Sequence, residues 1–442
     1  GYGPISFSGD NVTVRRNLVD GYALVLDDAG GIYSWTEGAK INKNRAVIQN
    51  LIRNGIGAMD GQAWDYPQVQ GIYMDDRTNN VRIEDNVVYD VAESGIFIHN
   101  AHEIAIKGNI LFNNKIQLQF SHDAIAPEHQ IRNVEVSGNV LFPAKEDQRL
   151  ARIANLVDAE EPEIAFEGNS YSSPFRSNMQ LSIDLKGAAP RFFDLSQWLG
   201  AEGKDPRGIA SARFIEPFTV KKLGQINLVK NGTLKEGLST WGWWANYGNG
   251  RAQLSSIGLQ SGDALPAVKL MFSGAAGKAD SAFYFSSAPY AAVKGRLYRL
   301  SFTALSSPSG ATLSFHTQQN AEPWRRGSTE EYFALGAEAR EYSLFFRSEL
   351  TATNTRAEFS IGESKMPEGS DLSKAFVKLC AIDLREVEAE NSDTARYIGF
   401  YPNFSPDEKV IFLDGNYVDA WQKPASGTTR IGPFSAGIYL KD

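Results

Sequence analysis

Along the first half of the chain, apolar and polar positions alternate in short stretches that each close on an asparagine. The unit is apolar-x-apolar-x-x-Asn, and it occurs as Val12-x-Val14-x-x-Asn17, Val81-x-Ile83-x-x-Asn86, Ile104-x-Ile106-x-x-Asn109, Val134-x-Val136-x-x-Asn139 and Ile164-x-Phe166-x-x-Asn169. A sixth copy ends at Asn50 and keeps Val47, with Arg45 at the first apolar place. Period-2 alternation predicts strands with one face inward. Intervals of 23 to 36 residues between asparagines are too long for a hairpin and carry no helical pattern. Strands that coil about one axis and pair in parallel with the next coil satisfy both observations. Asparagine suits the corner, because it tolerates a left-handed backbone and can bond its copy one coil away.

Further strands are expected after each asparagine. Gly21–Leu26, Gly55–Met59, Gly95–His99 and Ile116–Phe120 read as a second strand, and Gly31-Ile-Tyr and Gly71-Ile-Tyr as a third one in two coils. The longest loop, Asp60 to Gln70, carries Trp64, Asp65 and Tyr66. The opening Gly3–Asp10 already reads as a strand, which predicts a coil end covered by a further segment or by another chain. Residues 1–190 are thus expected to form the coil, and 191–225 its end and a linker. Residues 226–390 show short alternating strands between Gly, Ser, Asn and Pro turns, the pattern of an antiparallel sandwich. Residues 391–442 read as a small β segment.

Composition narrows the function classes. The chain has 442 residues, 42% hydrophobic, enough for sizeable cores. A net charge of −8 offers no basic stripe for nucleic acid, and no apolar run approaches a membrane span. One cysteine, Cys380, excludes an intrachain disulfide. Gly1-Tyr2-Gly3-Pro4 carries no targeting signal, so a secreted, periplasmic or cell-surface location is inferred from function alone.

Two resemblances give the pattern a functional direction. Asp28-Ala-Gly-Gly-Ile-Tyr33 and Ile72-Tyr73-Met74-Asp75-Asp76 are similar to paired motifs of bacterial right-handed parallel β-helix glycoside hydrolases. Asn227–Trp241 and Ala375–Val387 resemble the opening and closing strands of jelly-roll carbohydrate-binding modules. The resemblance implies an all-β chain, a right-handed parallel β-helix followed by an antiparallel jelly-roll β-sandwich, that acts on a poly- or oligosaccharide. No cofactor is called for. A structural calcium in the module is left open, because Leu234-Lys235 stands where Phe-Glu is common.

Glycoside hydrolysis needs two carboxyl groups flanking the scissile bond. The candidates are Asp28, Asp75, Asp76 and Asp60, with His99 for proton transfer. Trp35, Trp64 and Tyr73 could stack on a sugar ring, with Asp27, His122 and Asp123 lining the substrate. Each aspartate also has a plain structural reading as a corner cap, and each histidine as a hydrogen-bonded structural residue. Asp28 and Asp76 lie at opposite ends of their strands, so the pairing stays open between Asp28 and Asp60. In the sandwich, Trp241 is assigned to the core, and Trp243 or Trp244 with Tyr247 to a sugar platform. A polysaccharide lyase, which needs a cation beside a uronate, and a non-catalytic adhesin are the competing readings.

Overall fold

The computed structural model describes residues 3–60, 65–124, 126–175, 180–188, 190–201, 203–211, 213–259, 262–273, 282–362, 365–367 and 369–441. Two compact units divide the chain. The first is Gly1–Lys186, Asp194–Pro217 and Ser392–Asp442, and the second is Gly187–Phe193 with Phe218–Asn391.

In the first unit, three parallel sheets wind about one axis. The first sheet stacks Ile5–Ser6, Ala29–Ser34, Val69–Met74, Ser94–His99, Ile116–His122, Arg149–Asn155 and Leu181–Leu185. The second takes the ladder strands Thr13–Arg15, Arg45–Ile48, Asn79–Glu84, His102–Lys107, Val134–Ser137 and Ile164–Glu167. The third begins with Leu18–Tyr22, Leu51–Gly55 and Val87–Val91 and runs to Ile209–Ala210.

Parallel pairing keeps like over like, which is why the repeat is visible in the sequence. Val14, Val47, Ile83, Ile106, Val136 and Phe166 stand in one register and are buried. At the corner, the backbone and side-chain nitrogens of Asn50 both donate to Asn86 Oδ1 at 2.9 Å, and Asn86, Asn109 and Asn139 repeat the pattern. A side chain that both donates and accepts can propagate such a chain through every coil, satisfying buried corner groups that water cannot reach.

The assignment of the remaining strands is corrected. Leu24, Val25 and Leu26 are exposed and lie outside any strand, as does the stretch after Gly55. The second strand of each coil is instead a short one beginning at or just after the asparagine. Gly95–His99 and Ile116–Phe120 belong to the same sheet as the two Gly-Ile-Tyr strands. Two to five residues are too few to show a period of two, so the sequence reading passed over them. Asp60 therefore ends no strand; it lies exposed in a turn beyond Gly55.

The coil's last turn is filled by a short helix, Leu195–Trp198. Asp194 and Gln197 form a capping box, and Trp198 is fully buried against Phe166 and Tyr171. Four strands between Ile398 and Lys441 form an antiparallel sheet that covers the third sheet, whose outer face is apolar. Phe400 stacks on Phe112 at 4.1 Å, and Ile438 and Leu440 join the same cluster.

The second unit is a sandwich of two antiparallel sheets. One is built on Phe376–Asn391 and Leu297–Ser307, the other on Ala352–Gly362 and Thr312–Gln319. Between them lie Phe283, Phe285, Leu300, Phe302, Phe315, Phe333 and Phe359. Trp241 belongs to this core, stacked on Phe285 at 4.5 Å.

Candidate active site

The first sheet carries the chemistry on its outer face. Tyr33, Tyr73, Phe97, Gln119 and Arg152 stand in one register, coil over coil. Tyr33 meets Tyr73 edge-on at 5.3 Å, Tyr73 stacks on Phe97 at 5.1 Å, and Phe97 stacks on the His99 ring at 5.4 Å. The glycine before each Ile-Tyr is there for want of room. A Cβ on Gly71 would lie 2.2 Å from Val88 Cγ1 and 2.5 Å from the Gly95 carbonyl.

Two residues beyond this aromatic column the strands end, and their ends bring the acids together. The His99 ring lies between two carboxylates, with Nδ1 2.7 Å from Asp75 Oδ1 and Nε2 3.1 Å from Asp123 Oδ1. Tyr33 donates to Asp75 Oδ2 at 2.8 Å. Asn100, buried and left-handed at φ 47°, donates from Nδ2 to Asp76 Oδ1 and to Asp123 Oδ1, both at 2.8 Å. Its Oδ1 accepts from the Asp123 backbone N–H at 3.0 Å and lies 3.1 Å from His122 Nδ1. From the loop after Asp123, His129 brings Nε2 to 4.0 Å from Asp76 Oδ2.

This geometry separates the protonation states. Burial works against a charged His99, but the Asp75 hydrogen bond and the charges of Asp123 and Asp75 prevail and raise it to about 9. Burial likewise opposes ionised Asp75, and the His99 and Tyr33 hydrogen bonds hold its carboxyl below the usual range. Asp123 is lowered too: the Asn100 hydrogen bond and the His99 charge outweigh its burial. Asp28 goes the other way. Its side chain keeps solvent contact, yet partial desolvation, then the negative charges of Asp75 and Asp27, raise it, with His99 opposing. Burial lowers His122.

Asp75, Asp76, His99, His122 and Asp123 are thus joined in one network, and Asp28 lies within its electric field. Trp35 is exposed beside Asp75, whose backbone N–H bonds to the Ser34 carbonyl. Tyr73 is buried behind the face, where it holds its neighbours and offers no free ring. Asp27 is buried, and its Oδ2 has no hydrogen-bond partner among the described residues. Asp60 joins no hydrogen bond or ion pair with this network among the described residues, and Trp64 lies outside them. In the sandwich, Trp243, Trp244 and Tyr247 are all exposed. Trp243 and Trp244 are adjacent on one strand, so alternation turns them to opposite faces, and only Trp244 stacks on Tyr284, at 4.3 Å.

The sequence reading missed Asn100, His129 and the hydrogen bond from Tyr33. Asn100 had a signal: it follows His99 on the strand stacked over Tyr73-Met74-Asp75-Asp76, where a corner asparagine bonds to both neighbouring coils. His129 had none, since its loop is irregular.

Ligand-type atoms of Asp75, Asp76 and His99 lie within 4.8 Å of one another. The groove along the second sheet, past Glu103 and Glu135, is polar but its acids are engaged, Glu103 by Asn133 at 2.8 Å and Glu135 by Lys107 at 2.6 Å.

Comparison with known proteins agrees with these sheets. A family model described as a right-handed β-helix region matches residues 1–141. The chain holds a right-handed parallel β-helix, followed by an antiparallel β-sandwich. Among solved structures, a family 4 carbohydrate-binding module aligns at 17% identity and TM-score 0.24, over 36% of this chain and 100% of its own. The enzymatically active domain of tailspike protein 4 from bacteriophage CBA120 aligns at 10% identity and TM-score 0.29, over 82% of this chain and 56% of its own. An arabinose-bound α-L-arabinofuranosidase aligns at 13% identity and TM-score 0.29, over 37% of this chain and 27% of its own. The chain therefore spans little more than half of the tailspike domain and about a quarter of the arabinofuranosidase. No curated protein matches it. No helix among the described residues is long and apolar enough to cross a membrane.

Proposed function

We propose that the β-helix unit is a glycoside hydrolase acting on a poly- or oligosaccharide outside the cytoplasm, with Asp28 as general acid and Asp75 as base or nucleophile. One relationship carries this reading: where the strands of the first sheet end, partial desolvation and the charges of Asp75 and Asp27 push the Asp28 carboxyl up, while the His99 and Tyr33 hydrogen bonds pull Asp75 down. A pair driven apart in this way divides the roles of glycoside hydrolysis between a proton donor and an ionised partner. Tyr33 and His99 hold both oxygens of Asp75 and orient it. Asn100 fixes Asp76 and Asp123 at the rim, and the exposed Trp35 ring offers a face for a sugar. Proton transfer by a placed carboxyl group is worth about 10²–10⁴ in rate.

The same charges weigh against the lyase reading, since a uronate would meet carboxylates first. For the sandwich, sugar binding without cleavage is supported by Trp324, an exposed ring 5.5 Å from the Arg356 guanidinium, as well as by Trp244 on Tyr284. Asp28→Asn and Asp75→Asn, assayed for released products on a polysaccharide panel, are the test. Loss of turnover by orders of magnitude in both, with Asp60→Asn at parental rate, is expected. Near-parental turnover in either of the first two would remove that residue from the mechanism.

A further inference from the structure

We infer that a cavity beside the acid network takes the anionic group, a carboxylate or a sulfate, of a charged polysaccharide. This rests on the reading that the strand ends of the first sheet form the substrate site, and it adds the class of sugar.

The cavity lies where the first sheet turns into the second, and it encloses about 450 Å³ between residues 38–41 and the loop 127–132. Lys40, Arg77 and Arg132 bring three positive charges to its wall, against one carboxylate, Glu128. In a chain of net charge −8 that surplus is local. The frame is fixed, since the buried Asn79 donates to the Lys40 and Arg77 carbonyls, both at 2.9 Å. Arg77 Nε donates to the Thr36 carbonyl at 3.1 Å. The terminal nitrogens of Arg77 and the Lys40 ammonium have no partner among the described residues. Arg132 is partly engaged, by the Pro127 carbonyl at 3.1 Å and by Glu103 at 4.0 Å.

A second observation lies in the wall itself. His102 lines the cavity and is 2% exposed, and its Nδ1 has no hydrogen-bond partner among the described residues. Glu103 Oε1 stands 3.9 Å away, too far for one. Burial, then the Arg132 charge, lower His102, so its ring is neutral and keeps one N–H to give. A guanidinium and an ammonium suit a carboxylate or sulfate better than a hydroxyl, because charge strengthens each hydrogen bond. The cavity also adjoins the acids. Arg77 follows Asp76 in the chain, its partner Thr36 follows the exposed Trp35, and His129 of the lining loop reaches 4.0 Å from Asp76 Oδ2. The carboxylates repel an anion at the point of cleavage, and the cavity accepts it on a neighbouring sugar.

The experiment measures affinity by calorimetry at low ionic strength, in an Asp75→Asn background to suppress turnover. Two matched pairs serve as probes: an oligogalacturonate with its methyl ester, and a sulfated galactan oligosaccharide with its desulfated form. In at least one pair the charged member should bind at least tenfold tighter, and the pair that responds tells carboxylate from sulfate. Salt should shrink the gap. Lys40→Ala should narrow it severalfold, as should Arg77→Asn, a residue that tolerates the left-handed φ of 61° there. Equal affinity within both pairs, or binding of none, overturns the inference. A preference that survives in both variants also overturns it, because the anion then sits elsewhere. Products released by the parent protein are scored separately. Charge preference with unsaturated products, or with no cleavage, counts against the hydrolase reading alone. Hydrolysis of neutral glycans without charge preference counts against the inference alone.

Discussion

Asp205 ends the asparagine ladder by accepting, at one oxygen, both the backbone and the side-chain nitrogen of Asn169, at 3.0 and 2.8 Å. The Gly168 N–H at 2.7 Å and the Tyr171 hydroxyl at 3.0 Å also point at its carboxylate, which is fully buried. Each asparagine passes a donor onward, so the last coil requires a residue that accepts and does not donate. Aspartate meets that need and asparagine does not. Asp205→Asn turns an NH₂ group toward an N–H or hydroxyl donor, at an expected cost of about 1–3 kcal/mol. Denaturant unfolding of the variant checks this, and an unchanged midpoint would show that the ladder needs no terminal acceptor.

The opposed shifts of Asp28 and Asp75 set a pH profile. A general acid must be protonated, so activity should fall as pH rises through the raised Asp28 value. The base must be ionised, so activity should also fall as pH drops through the lowered Asp75 value. The acid limb should follow Asp75 and the alkaline limb Asp28. Rate profiles of Asp28→Asn and Asp75→Asn, where residual turnover permits, should each lack one limb.

His99 makes a separate prediction about stability. Its folded value, raised from 6.5 to about 9, means that the folded state holds the proton more tightly than the unfolded chain. The contribution is complete below about 6.5 and is lost as pH climbs to about 9. Thermal unfolding of the parent should therefore show a falling Tm over that interval, and His99→Gln should flatten it. A parallel decline in both proteins would place the proton elsewhere.

Phe400 on Phe112 ties the C-terminal sheet to the β-helix. Phe400 is partly buried, so Phe400→Ala should cost up to about 3 kcal/mol, toward the lower end for a phenylalanine truncation. The loss should appear as earlier exposure of the third sheet. Hydrogen exchange at Val87–Val91 and Ile110–Phe112, compared between parent and variant, is the measurement. Unaltered protection would show that the remaining contacts of Ile438 and Leu440 suffice.

How much of this was legible in advance follows from how far each feature depends on neighbours in the sequence. The ladder was legible, because Val47, Ile83 and Ile106 repeat the same local alternation and each asparagine caps its own strand. The short third-sheet strands were not, since three residues such as Ile110–Phe112 carry no period and are held by pairing with other coils. The acids were readable as candidates, because strand ends in successive coils must stack. Their partners were decided by the tertiary structure. Asp75 and His99 are 24 residues apart in the chain and 2.7 Å apart in space, and Tyr33 reaches Asp75 across 42 residues. Loop lengths between coils set no distance in sequence; only the registered stacking of the first sheet does. That is why Asp60, plausible by its place in the chain, drops out of the network, while Asn100, plain as a corner residue, joins two carboxylates from neighbouring coils. The sequence by itself determined the coil, its inward columns and its corner. The parallel stacking of coils decided which polar side chains share a charge, because Coulomb interactions act over distances in space that the chain order does not record.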